Sequence, residues 1–270
     1  MTAIVQAPLR TVGDHVRAWR MRRRLSQLDF ALDAEVSQRH LSFIESNRSQ
    51  PSREMILRIA EHLDVPLRDR NAMLLAAGYA PQFAERQLSD PSLQSQRAAI
   101  DLILKGHEPY PAVAVDRHWT LVAANSAVTS LLSLVSDTAL LEPPVNVLRL
   151  SLDPGGLAPH IVNFAEWRHH LLDRLRRQIE ISADPVLQRV NAELQALPRP
   201  PGTQANSAGE AAVMVPLQLT TPFGVLSFFS TITVFGSPVE ITLSELALEA
   251  FYPADAETAE ALRRMAVQGS

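Results

Sequence analysis

SQLDFALDAEVSQRHLSFIES, residues 26–46, reads as two short helices joined by a tight turn. Ser26 followed three residues later by Asp29 is a capping signature, so a helix opens there. Leu28, Phe30, Ala31 and Ala34 give that helix one apolar stripe. The chain breaks at Ala34-Glu35, Ser37 supplies a second N-cap, and Leu41, Ile44 and the stem of Glu45 continue a buried face. Helices this short have no core of their own. They need flanking helices to pack on, which leaves the polar face of the second turned outward. In a helix-turn-helix module that face enters the major groove of DNA.

The outward residues suit that role. Behind the cap at Ser37, the second helix presents Gln38, Arg39, Ser42 and Phe43. Gln pairs in a bidentate way with adenine, Arg with guanine, and an aromatic ring can cover a thymine methyl. Gln27 stands at the start of the first helix, where its amide and the backbone N–H groups meet a phosphate. Arg48 comes after the second helix, and the cluster Arg20, Arg22, Arg23 and Arg24 precedes the first. Arg20 and Arg24 are expected on the phosphate backbone. A solvated helical hairpin would carry similar residues, so the flanks decide.

Upstream, VGDHVRAWRMRRRLSQ places Val12, Val16 and Trp19 on one stripe that can pack on the hairpin. Downstream, PSREMILRIAEHLDVP gives a helix capped by Ser52, with Ile56, Ile59, Ala60 and Leu63 inward. LRDRNAMLLAAGY supplies another, closed by Gly78. Five short helices in about 70 residues make a globular domain. The pieces VGDHVRAWR, LSQ, EVSQRHLSFIESNRSQPS and ILRIAEHLDVP resemble the Cro/C1-type, or XRE, helix-turn-helix family over residues 10–78. Two positions depart from its pattern. Glu35 stands where the family usually has Gly in the turn, and Asn47 replaces the Gly that often ends the recognition helix. Asn tolerates a positive φ; Glu costs a little stability there.

The composition is consistent with two domains and narrows the chemistry. At 270 residues the chain is long enough for two, and without cysteine it has neither a disulfide framework nor thiolate chemistry. No apolar run reaches a membrane span, and MTAIVQAPLRT is not a signal peptide, so a cytoplasmic location without membrane contact is expected. The overall charge of −4 hides an asymmetry. Residues 1–80 hold 12 Arg and 9 Asp or Glu, a net of +3, and the remainder is net −7. The basic part is the one with the helix-turn-helix, as a DNA partner requires. Residues 79–107 read as a linker, APQFAERQLSDPSLQSQ, feeding a connecting helix, RAAIDLILKGHEP. A second break, LPRPPGTQANSAGEAA at 197–212, marks a long loop.

The remainder mixes helices and strands. Ala112–Val115 is a strand, Asp116-Arg117-His118 a turn and Trp119–Ala123 the return, with Asn125 capping a helix. FAEWRHHLLDRLRRQIEI and DPVLQRVNAELQAL are helical. AAVMVPLQL, VLSFFSTITVF and SPVEITLSELAL are expected strands, with TPFG as a turn. The expected fold is therefore an all-α five-helix helix-turn-helix domain followed by an α+β domain, an antiparallel sheet with helices on one side. PAVAVDRHWTLVAANSA, NVLRLSLDP, FAEWRHHLLDRLR and AFYPADAETAEALRRM resemble the MmyB-like ligand-binding domain, a PAS-like module, over residues 108–265.

That resemblance implies a pocket between sheet and helices, largely apolar with a few orienting polar groups. Candidate lining residues are Trp119, Leu121, Phe164, Trp167 and Leu171, then Val215, Leu217, Phe228 and Phe229. Arg117, His118, Asn146, Arg149, His160 and Arg168 are candidate donors to a carboxylate. The expected ligand is an apolar small molecule such as a fatty acid, and no other cofactor or metal is expected. There is no P-loop, G-x-G-x-x-G, H-E-x-x-H or G-x-S-x-G motif, and the adjacent His169 and His170 diverge by about 100° on a helix. A transcription regulator is expected, not an enzyme. Specific operator binding generally needs two half-sites, so a homodimer is expected. The rival class is a protein-interaction or dimerisation scaffold with no small-molecule ligand. Its recognition helix would expose more apolar surface than Phe43 alone.

Overall fold

The computed structural model describes residues 10–198, 200, 215–236 and 240–268. The chain divides into two compact units, the first running to Arg86 and taking in Glu240 and Ile241, the second formed by most of the remaining residues.

The first unit is built from α1 (Val12–Arg22), α2 (Gln27–Asp33), α3 (Gln38–Glu45), α4 (Arg53–His62) and α5 (Leu67–Ala76). Hydroxyls open four of these helices. Thr11 and Asp14 form a reciprocal capping box on α1, and Ser26, Ser37 and Ser52 accept from the backbone N–H three residues on. The turns are where the sequence departs from glycine, and the backbone there is left-handed all the same. Glu35 has φ 53° and Asn47 φ 57°. Val12, Val16, Trp19, Phe30, Leu41, Ile44, Ile56 and Ile59 are buried together, whereas Leu28, expected in the stripe of α2, points to solvent at 51% exposure.

Gly13 sets how closely α1 meets α3. A Cβ at this position would lie 2.3 Å from the Ile44 carbonyl oxygen and 2.6 Å from Asn47 Oδ1. The Gly13 N–H donates to that same Oδ1 at 3.3 Å, which ties the end of α3 to the start of α1.

The second unit contains α6 (Gln94–Gly106), α7 (Ser126–Leu132), α8 (Val147–Leu152), α9 (Phe164–Ser182), α10 (Pro185–Ala196) and α12 (Ala256–Gln268). A short α11 (Ile241–Ser244) precedes the last strand. The strands are β1 (Ala112–Val115), β2 (Leu121–Ala124), β3 (Leu217–Thr221), β4 (Gly224–Val234) and β5 (Ala247–Pro253), in the antiparallel order β2-β1-β5-β4-β3. Side-chain alternation gives the sheet two faces. Val113, Val115, Leu219, Leu226 and Phe228 join residues of α7–α10 and α12 in the main core. Ala112, Ala114 and Leu248 face the other way, against Ile100 and Leu104 of α6. The expected connecting helix thus covers the back of the sheet, so helices lie on both faces. β1 is buried at all four residues, which explains its unbroken apolar run.

Three further expectations are corrected. Trp119 is not in a strand: its φ is 66°, and it closes the turn begun by Asp116, with β2 starting at Leu121. Asn125 precedes α7, but its side chain makes no cap. It is buried, accepts from the Ala112 N–H and donates to the Leu104 and Tyr110 carbonyls, fastening α6 to β1. In SPVEITLSELAL, residues 241–244 are helical and the strand begins only at Ala247. Most of the loop expected at 197–212 and the start of the strand expected from Ala211 lie outside the described residues.

Gly13→Ala should destabilise the first unit by about 1–3 kcal/mol, because backbone of α3 blocks the methyl. Urea unfolding of the full chain checks this; an unchanged midpoint would contradict the close approach.

Candidate functional site

The first unit presents α3. Gln38 and Arg39 are exposed in its first turn, and Ser42 and Phe43 are half-buried one turn on. The Arg39 guanidinium carbon lies 5.4 Å from the Phe43 ring centroid. Phe43 is therefore covered on one side by a cation, and α3 offers little free apolar surface. Ser37 is exposed, with its hydroxyl committed to the His40 N–H; Arg24 and Arg48 are exposed as well.

Two expected phosphate contacts are placed elsewhere. Arg20 is 9% exposed, and its Nε and Nη2 donate to the two carboxylate oxygens of Glu45 at 2.6 and 2.9 Å. Its Nη1 donates to the Leu25 carbonyl at 2.7 Å. The hydrogen bonds it donates to Glu45 outweigh burial and raise the Arg20 pKa further. Gln27 donates its amide to Glu45 Oε2 at 2.8 Å, so that group is turned to the core instead of outward. The cause is common to both: Glu45 is buried at 7% exposure, and a buried carboxylate collects donors. The rest of the arginine cluster is divided in the same way. Arg23 donates to the carbonyls of Leu63 and Asp64, where α4 ends, and the Arg22 guanidinium lies 4.5 Å from the Trp19 ring centroid. Arg24, with φ 58°, is the exposed member.

The second unit holds a cavity of about 110 Å³ between the sheet and α7–α9. Roughly 10–15 Å³ of such space suffices for one water, so this is room for a small molecule. Trp119, Leu121, Trp167, Leu171, Leu217 and Phe228 line it. Phe164 and Val215 do not: the first is buried in the core and the second packs against it. Phe229 lies on the opposite face of β4, stacked on Tyr252 with ring centroids 5.2 Å apart, as alternation from Phe228 requires. Residues not anticipated complete the wall, among them Val113, Val128, Leu148, Leu219 and Phe251.

Both tryptophans have their indole N–H satisfied, Trp167 by a residue that itself lines the cavity. Trp119 donates to Gln178 Oε1 at 2.8 Å and Trp167 to Ser151 Oγ at 2.9 Å, which leaves ring carbon to face the space. His170 stacks on Trp167 with ring centroids 5.5 Å apart; burial first and the Arg174 charge second hold its pKa below the ordinary value.

The six candidate donors for a carboxylate are occupied elsewhere, and none lines the cavity. Arg117 and His118 meet Asp184, Asn146 caps α8, Arg149 pairs with Glu193, His160 meets the Leu134 carbonyl and Arg168 reaches the end of α10. Burial alone would raise the Asp184 pKa, but bonds from His118 and the Val186 N–H, with Arg117, outweigh it and hold it low. The cavity's polar groups are Ser151 and Glu249, neither of them among the residues expected there. Glu249 does carry a signal in the sequence: it alternates with Ala247 and Phe251, so it occupies a core position of the central strand.

Among the described residues, no group of three or more His, Asp or Glu side chains could hold a metal ion, and no helix is long and apolar enough to cross a membrane. A family model described as the MmyB-like transcription regulator ligand binding domain matches residues 96–265, more than half of the chain. A helix-turn-helix model matches residues 16–69. No curated protein matches the chain.

The two arginines should separate cleanly. Arg20→Ala leaves Glu45 buried without its cation and should cost about 3–5 kcal/mol of stability in urea unfolding. Arg24→Ala should leave stability unchanged, weaken all DNA sequences alike, and lower the salt slope of binding by about one. An Arg20→Ala protein as stable as the parent would contradict the assignment.

Proposed function

The chain belongs to the MmyB-like transcription regulators, DNA-binding proteins with a ligand-binding domain, and we propose that it reads its operator as a homodimer and senses an apolar small molecule. The observation that carries the ligand half is the apolar cavity walled by Trp119, Trp167, Leu171 and Phe228. A fatty-acid chain is the first candidate, because each buried CH₂ gains about 0.8 kcal/mol before ordering costs. The DNA half is supported by the exposed Gln38 and Arg39, which stand in the first turn of α3 where base edges are reached. A protein-binding helix is disfavoured by the same surface, whose one aromatic lies under Arg39.

A ligand that binds one spacing of the two helix-turn-helix units better than another would shift DNA affinity by that difference. Mass spectrometry of an organic extract of the purified protein tests for a stoichiometric apolar molecule.

Selection of genomic fragments on the immobilised protein should enrich one sequence with two half-sites, bound by a dimer in light scattering. Arg39→Ala should weaken that complex by about 1–3 kcal/mol and relax preference at one base pair. No enriched sequence, or a monomer both free and on DNA, would overturn the corresponding part of the proposal.

A further inference from the structure

Ile100 and Leu104 seat α6 on the back of the sheet, yet the opposite side of the helix is apolar as well. Leu102 is 73% exposed and Ile103 48%, and Ala98, Ala99 and Gly106 are exposed beside them. At about 100° per residue, Leu102 points almost directly away from the pair that faces the sheet. A Cβ built on Gly106 meets nothing within 4 Å, so α6 offers a projecting leucine one turn before an open notch. The charges beside this stripe follow an order. Arg97, Asp101 and Lys105 run along one flank of α6, Glu108 comes two residues past its end, and all four are exposed. Glu108 accepts from Ser126 through Oε1, while the side chains of Asp101 and Lys105 have no hydrogen bond or ion pair among the described residues.

The order +, −, +, − is its own complement when read backwards. Two copies of α6 packed antiparallel across a two-fold axis near Ile103 therefore set Asp101 of each level with Lys105 of the other, and Arg97 near Glu108. The same register puts Leu102 about 3 Å along the axis from the Gly106 notch of the second copy and brings the two Ile103 side chains together on the other flank. Apolar fit and charge order thus call for one register. A parallel pair loses it, because like charges then lie side by side. We propose that α6 is the two-fold contact of the homodimer, with a second copy of this chain covering the Leu102 stripe. This rests on the proposed function, in which the chain is a homodimer, and it assigns the surface of that dimer. A helix of 13 residues is about 20 Å long. One such pair falls short of the roughly 1,200 Å² at which standard interfaces begin, so a weak, concentration-dependent dimer is expected.

Sedimentation equilibrium of the full chain measures the contact. The wild-type protein should pass from monomer to dimer as its concentration rises. Asp101→Lys and Lys105→Asp each place two like-charge pairs in the contact, and either alone should raise the dimer Kd about tenfold or more. An equimolar mixture of the two variants should associate again with close to the wild-type Kd, because a copy positive at both positions then meets one negative at both. Mixing changes nothing within a single helix, so this rescue reports on the contact alone. Leu102→Asp should abolish association and leave the Tm of the dilute protein unchanged, since that side chain meets solvent. A wild-type dimer whose three variants associate equally well overturns the α6 contact and leaves the homodimer reading standing. Loss of association in the single variants without rescue in the mixture overturns it too, because the charge order carries the register. A wild-type protein that stays monomeric in solution also overturns the contact, whereas the homodimer reading falls only if DNA holds a single copy as well.

Discussion

A charge buried in a protein must find its partners inside, and among the described residues Arg20–Glu45 and Arg174–Glu249 answer that constraint in different ways. In the first unit Glu45 has both oxygens taken, by Arg20 and by Gln27. In the second, Glu249 has one oxygen taken twice and the other free among the described residues. Complete satisfaction fastens the last turn of α3 to α1 and to the start of α2, so that the opposite side of α3 is held outward. Incomplete satisfaction leaves Glu249, a residue of the cavity wall, with one oxygen that no described residue meets.

The geometry around each pair is supported locally. In the first unit the close α1–α3 approach demands Gly13, and Asn47 answers the left-handed backbone after α3 while accepting the Gly13 N–H. In the second, Trp119 sits in the left-handed region, a conformation costing a bulky residue on the order of 1–3 kcal/mol. It is held there from two sides, by the Gln178 hydrogen bond and by the Arg174 guanidinium over its ring. Gln178 in turn donates to the Arg117 carbonyl, so the hairpin turn is fastened to α9. This conformation brings the indole to the cavity, whose wall it shares with Glu249.

Legibility in the sequence depends on which interactions are local. Capping hydroxyls and the two-residue turn before Gly224 act within a few residues, and α2, α3, α4 and the β3–β4 hairpin stand where those signals put them. The outward set Gln38, Arg39, Ser42 and Phe43 is readable because helical periodicity assigns faces without reference to the rest of the chain. Arginine function is not readable. Arg20, Arg23 and Arg24 are near neighbours in sequence, yet one neutralises a buried carboxylate, one caps another helix and one meets solvent. Only tertiary contacts of long sequence separation distinguish them. The cavity shows the same division. Apolar residues of the wall can be named as a class, but Phe164 and Val215 fill core while Val113 and Leu219 line space, a distinction made by packing. The donors expected for a carboxylate are held by caps, carbonyls and ion pairs elsewhere, and the charged residue that lines the cavity is an acidic one in a core register.

The central claim is that this cavity binds an apolar chain, and tryptophan emission reports on it directly. Two of the three tryptophans, Trp119 and Trp167, line the cavity, while Trp19 is buried in the first unit. Titration of the delipidated full chain with decanol should change the emission saturably, with one molecule bound per chain. Emission that does not change up to the solubility limit of decanol, or that drifts linearly without saturation, would contradict the account.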